Sequence, residues 1–135
     1  MMGYDPWPAT VDVLLIEDDE LVRGCLGEVL ADAGWRVAAA AGAGQALRMA
    51  DTCAPPRVLV TDLRLGYAMD GVALVAAARH RWPGLPAVLM SGDLVEGLLL
   101  GPGERFLRKP FGVAALVQAV AELAAGQAAA GLGPR

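Results

Sequence analysis

Two short runs, Val58–Val60 and Ala87–Met90, are apolar at every position, and they constrain the fold more than anything else in the chain. A strand with one wet face alternates apolar and polar residues. A strand apolar throughout must be covered on both faces, as in a parallel sheet between two layers of helices. The remaining sequence supplies the covering helices. Val11–Ile16 is a third β-rich run that stops at four acids, Glu17 to Glu20. After them Leu21, Val22, Cys25, Leu26, Val29 and Leu30 recur at helical spacing, and Gly34 is placed for a left-handed C-terminal cap.

The same alternation continues to the end of the chain. Strands are expected at Trp35–Ala39, Arg57–Thr61, Pro86–Met90 and Arg105–Leu107, and helices at Ala43–Thr52, Gly71–Arg81 and Val113–Ala125. Only a weak segment from Asp93 stands where the fourth helix belongs. Five β/α units joined by right-handed crossovers predict a doubly wound α/β sheet of order 2-1-3-4-5, flavodoxin-like, with a short or irregular fourth helix.

A chain of 135 residues holds one such domain and no second. Residues 1–10 have no apolar period and read as an N-terminal arm, residues 11–125 as the domain, and the Ala/Gly-rich residues 126–135 as a flexible tail. No output domain is expected in the chain. A composition 56% hydrophobic and 19% charged excludes a disordered protein. The net charge of −4 argues against nucleic-acid binding. The longest charge-free runs, Pro110–Ala121 and Leu123–Pro134, are too short for membrane insertion. The first ten residues lack the pattern of a secretory signal, so a cytoplasmic location is expected, with Cys25 and Cys53 reduced. Cys25 falls on the apolar stripe of the first helix and is expected in the core, and Cys53 is expected unpaired at a helix end.

In a doubly wound sheet, function collects at the carboxyl ends of the strands. Those ends carry Glu17, Asp18 and Asp19 after the first strand, Asp62 after the third, Ser91 and Gly92 after the fourth, and Lys109 and Pro110 after the fifth. Carboxylates gathered in one cleft repel unless a cation lies between them. Mg²⁺, with its preference for oxygen ligands and phosphate oxygens, suits that need. Ser91 and Lys109 then stand ready for the remaining oxygens of a phosphoryl group, and Asp62 is the candidate nucleophile. Asp19 and Glu20 read as an N-terminal helix cap. His80 reads as a partner of its helix dipole, and Trp35 and Trp82 as packing.

The strings LLIEDDE (14–20), VLVTDLRLG (58–66), MDG (69–71), LPAVLMSG (85–92) and FLRKPF (106–111) follow one another at these strand ends. Together they resemble the response-regulator receiver domain of two-component signalling, a likeness covering nearly the whole chain. The resemblance implies a phosphoacceptor role for Asp62, with Mg²⁺ held by Glu17, Asp18, Asp62 and the backbone carbonyl of Arg64. It implies that Ser91 and Lys109 contact the phosphoryl group, that Phe106 switches rotamer with Ser91, and that the Lys109–Pro110 peptide is cis. It also implies a sensor histidine kinase or histidine phosphotransfer protein as partner, no enzymatic activity beyond the domain's own phosphorylation and dephosphorylation, and a homodimer as an open possibility.

The chain departs from the family in two places. The loop after Asp62 lacks the frequent proline and is longer by a residue, and the span from Ser91 to Lys109 is several residues short. Two other function classes compete. An aspartyl-phosphate phosphatase would want a second acid where Arg64 stands, and a flavodoxin-like small-molecule binder would want a glycine- and hydroxyl-rich first loop where Glu17 to Glu20 would repel phosphate.

Overall fold

The computed structural model describes residues 10–51, 55–64, 70–93, 98 and 100–132, with side chains as far as Gly126. Five parallel strands form one sheet: β1 (Val13–Ile16), β2 (Val37–Ala40), β3 (Val58–Asp62), β4 (Ala87–Ser91) and β5 (Glu104–Arg108). Their order is β2-β1-β3-β4-β5, the doubly wound arrangement that the apolar strands and short connections predict. Four helices are described: α1 (Glu20–Asp32), α2 (Ala43–Ala50), α3 (Gly71–Arg81) and α4 (Val113–Leu132).

Strand parity divides the interior into two cores. Leu14, Ile16, Leu59 and Leu89 face α2 and α3, while Val13, Leu15, Val58, Val60, Val88 and Met90 face α1 and α4. Each fully buried side chain of this size contributes roughly 1.5–3 kcal/mol. The central strands β1, β3 and β4 are buried at every residue, as their unbroken apolar runs require. Trp82 is buried in the α2/α3 core and Trp35 packs half-buried against the other.

Helix ends follow local chemistry. Asp19 caps α1, its carboxylate accepting the Val22 N–H at 3.0 Å, and Asp70 caps α3 by accepting the Ala73 N–H at 2.8 Å. Gly34, with φ 101°, takes the left-handed turn that ends α1.

Two expectations need correction. Cys25 is exposed rather than in the core. The face of α1 that turns inward is centred on Leu26 and Leu30, and Cys25 lies past its edge beside Leu21, itself 81% exposed. The last helix runs to Leu132 instead of ending at Ala125, because alanine, the strongest helix former, outweighs Gly126 and Gly131 there. Arg23, in the first turn of α1, is half-buried and donates to the Glu17 carbonyl at 2.8 Å.

Between β4 and β5 no helix occurs among the described residues. Leu98 packs partly buried against the α2/α3 core and Leu100 is 44% exposed. The 2.7 Å ion pair of Arg79 and Glu104, with Arg79 Nε donating to the Leu85 carbonyl at 2.9 Å, ties the end of α3 to the start of β5. The glycine-rich composition of the span from Leu94 to Glu104 implies mobility, but Leu94, Val95, Glu96, Gly97 and Leu99 lie outside the described residues. So do the arm with Trp7, Cys53, and the loop from Leu65 to Met69. No described helix is long and apolar enough to cross a membrane.

Candidate metal and phosphoryl centre

Sheet register gathers the site. Asp62 is the last residue of β3, the central strand, and pairs with Met90 of β4, so Ser91 emerges one step beyond it. Glu17 directly follows β1 on the other side of β3. The Lys109 N–H donates to the Ser91 carbonyl at 2.8 Å, which fixes the end of β5 to the end of β4. The Lys109–Pro110 peptide is cis, as the resemblance implies.

Lys109 bridges the two halves of the cleft. Its Nζ donates to Glu17 Oε1 at 2.7 Å and to Asp62 Oδ2 at 3.0 Å. Glu17 is only 1% exposed, and its other oxygen accepts the Asp19 N–H at 3.2 Å. Burial, joined by the neighbouring Asp62 carboxylate, pushes the Glu17 carboxyl above the ordinary 4.5 against the opposing pull of the Lys109 ammonium and the Asp19 N–H. Burial works against the charged form of Lys109 too. The hydrogen bonds and charges of Glu17 and Asp62 outweigh it, so Lys109 is raised above 10.5 and stays an ammonium at neutral pH.

Glu17, Asp18 and Asp62 each offer a carboxylate oxygen, and these oxygens lie within 4.8 Å of one another. Glu17 and Asp62 are buried and Asp18 is exposed, so the cluster opens to solvent on one side. An all-oxygen donor set of this kind suits a hard divalent cation such as Mg²⁺ and not a soft thiolate-seeking metal. The residues present therefore fit the ion that the sequence implies.

The other site residues fall around this centre. Ser91 is 3% exposed, and its Oγ accepts the Asp93 N–H at 3.0 Å. Phe106 is half-buried on β5, opposite Leu89, on the sheet face that by strand parity also carries Ser91. Arg64, two residues beyond Asp62, is exposed, with its guanidinium 2.7 Å from Asp93.

Three contributions escape the sequence patterns. Arg23 anchors the main chain of Glu17 from one turn into α1, a contact between residues six apart that no periodicity marks. Asp93 links Arg64 to Ser91. Gly71 opens α3 so close to β3 that a Cβ there would overlap the Asp62 carbonyl oxygen and approach the Leu63 Cα to 2.9 Å. The sequence marks Gly71 only as the end of the MDG string and the start of an expected helix.

A family model of the response regulator receiver domain matches residues 13–121. The chain is 34% identical over 124 residues to the C4-dicarboxylate transport transcriptional regulatory protein DctD of Pseudomonas aeruginosa, covering 89% of this chain and 26% of that protein. It is 35% identical over 116 residues to the transcriptional regulatory protein PrrA of Mycobacterium tuberculosis, covering 82% of this chain and 48% of that one. The chain thus spans between about a quarter and a half of these curated relatives. Among solved structures, a response regulator receiver protein from Sinorhizobium medicae is 30% identical at a TM-score of 0.75, covering 85% of this chain and 94% of that one. The receiver domain of the hybrid histidine kinase CckA is 26% identical at a TM-score of 0.71, covering 83% and 97%. With the family model reaching from the first strand into the last helix, this chain belongs to the response regulator receiver domain family.

Proposed function

We propose that Asp62 accepts a phosphoryl group from a phosphohistidine on a sensor histidine kinase or a histidine phosphotransfer protein, and that the domain signals by the resulting change of shape or passes the group on as a shuttle or sink. The observation that carries this reading is the placement of Lys109 Nζ 3.0 Å from Asp62, in a cleft where Glu17 and Asp18 supply the other carboxylates. An Asp62 carboxylate oxygen forms a bond to phosphorus as the phosphorus–nitrogen bond of the donor breaks, and the imidazole nitrogen keeps the bonding pair. Lys109, steadied by Glu17, neutralises a phosphoryl oxygen. Ser91 Oγ already accepts from Asp93, which leaves its proton to donate to another. Phe106, half-buried on the same face, follows Ser91 inward.

Glu17, Asp18 and Asp62, with the Arg64 carbonyl, would hold Mg²⁺, which when bound supplies the positive charge that offsets the phosphoryl oxygens. The likeness to the CckA receiver supports a histidine kinase as the partner class, and with such a partner the domain would act in the cytoplasm. The domain's own chemistry is confined to gaining and losing this group.

Acetyl phosphate with Mg²⁺ tests the reading, transferring its phosphoryl group to Asp62 and leaving as acetate. One phosphate should appear by intact mass, and Asp62→Asn should abolish it. Undiminished labelling of Asp62→Asn would overturn the assignment.

A further inference from the structure

Arg64 and Asp93 stand on opposite sides of the cleft mouth. Arg64 is the second residue past Asp62, where the chain leaves β3, and Asp93 is the second past Ser91, where it leaves β4. Their side chains meet at 2.7 Å between Arg64 Nη2 and Asp93 Oδ2, bridging the two loops. Asp93 is tied inward as well, through its N–H to Ser91 Oγ at 3.0 Å.

The ion pair is wet, with side chains 81% and 57% exposed. Pairs so exposed are weak and screened by salt, which makes this one a poor strut. A weak pair at the rim of an anion-accepting site has a different capacity, because it exchanges readily. The guanidinium fork matches the paired oxygens of a carboxylate and those of a phosphoryl group alike. A donor approaching Asp62 is anionic and meets Asp18 and Asp93, both exposed. Arg64 is the cation bridged across that mouth, with its charge taken up by Asp93.

We propose that Arg64 and Asp93 form an exchange gate: Asp93 holds the Arg64 guanidinium in the unphosphorylated protein, and the incoming phosphoryl group takes it over. The Arg64 side chain is then a positioning residue for the donor and a shield for the acyl phosphate, and Asp93 is its competitor. The proposal rests on the reading of Asp62 as phosphoacceptor.

Rates of labelling by acetyl phosphate and of loss of the label, followed by intact mass, test the gate in Arg64→Ala, Asp93→Ala and the double variant. Each substitution leaves the backbone carbonyl of Arg64 in place. Asp93→Ala frees Arg64 and should speed labelling and prolong the label by about threefold, the factor expected for one charge at several ångströms in water. Arg64→Ala should slow labelling and shorten the label by a similar factor. In the Arg64→Ala background, Asp93→Ala should no longer prolong the label, since the guanidinium it would release is gone. A wild type that takes no label overturns the phosphoacceptor reading and the gate with it. A wild type that labels, with Asp93→Ala prolonging the label equally with and without Arg64, overturns the gate alone.

Discussion

Lys109 donates a 2.7 Å hydrogen bond to the buried carboxylate of Glu17, ninety-two positions earlier in the chain. Removing the ammonium leaves a carboxylate that is 1% exposed without its cation. Lys109→Met should therefore destabilise the metal-free domain by roughly 2–4 kcal/mol at pH 8 in urea unfolding. The loss should shrink towards pH 5. Glu17 already binds its proton more tightly folded than unfolded, so between 4.5 and its raised value the folded state carries more protons and gains stability as pH falls. A penalty equal at both pH values would show that Glu17 does not carry it.

Two limbs of the stability profile follow from other shifted groups. Lys109 is raised, so its contribution is complete below 10.5 and is lost as pH climbs through the higher folded value. Glu104 is lowered, first by the Gly101 N–H and then by Arg79, so its contribution is complete above 4.5 and is lost as pH falls towards the lower folded value. Glu104→Gln should cost about 1–2 kcal/mol at pH 7 and flatten the acid limb. An acid limb as steep as that of the wild type would remove Glu104 from the account.

The sheet order was legible because Val58–Val60 and Ala87–Met90 leave no wet face, and a parallel sheet is the arrangement that covers both sides. The site was legible to the extent that its residues sit at strand ends, as Asp62 and Lys109 do. What escaped depends on how elements approach each other. Whether Cys25 or Leu26 turns inward is set by the rotation of α1 on the sheet, which the apolar stripe alone leaves loose by one position. Arg23 reaches the Glu17 carbonyl through a long side chain, and Arg64 meets Asp93 across a cleft between two loops. No spacing rule encodes either contact.

Asp18 and Asp19 are neighbours with separable tasks. Asp19→Ala removes the cap of α1 and should cost about 1 kcal/mol of stability while leaving Mg²⁺ binding and labelling largely intact. Asp18→Ala should abolish both binding and labelling with little change in stability, since Asp18 is exposed and belongs to the oxygen cluster. Calorimetric titration with Mg²⁺ and thermal unfolding read the two effects separately. Equal loss of Mg²⁺ binding in both variants would show that the acidic pair is in a different register.

Gly71 tests how closely α3 must approach the end of β3 that carries Asp62. The overlap that a Cβ would create is with backbone atoms of Asp62 and Leu63, which have no rotamer to yield, and the Gly71 N–H donates to the Leu63 carbonyl at 2.8 Å. Gly71→Ala should lower stability by about 1–3 kcal/mol and slow labelling by acetyl phosphate through displacement of Asp62. Unchanged stability would mean that α3 shifts freely.

Leu21 offers the cleanest probe of donor docking. It is 81% exposed in the first turn of α1, three residues past Asp18, the exposed member of the oxygen cluster, and on the proposed phosphotransfer a donor histidine comes to Asp62 from that open side. Arg23 is unsuited to the purpose, because Arg23→Glu would withdraw its hydrogen bond from the Glu17 carbonyl and disturb the site itself. Burying an exposed leucine against a partner is worth roughly 1.5–3 kcal/mol, so Leu21→Ser should slow transfer from a phosphorylated kinase or phosphotransfer protein by about tenfold or more. Labelling by acetyl phosphate, which needs no docking surface, should keep its wild-type rate. Slowing of both reactions by the same factor would place the effect in the site and remove α1 from the docking surface.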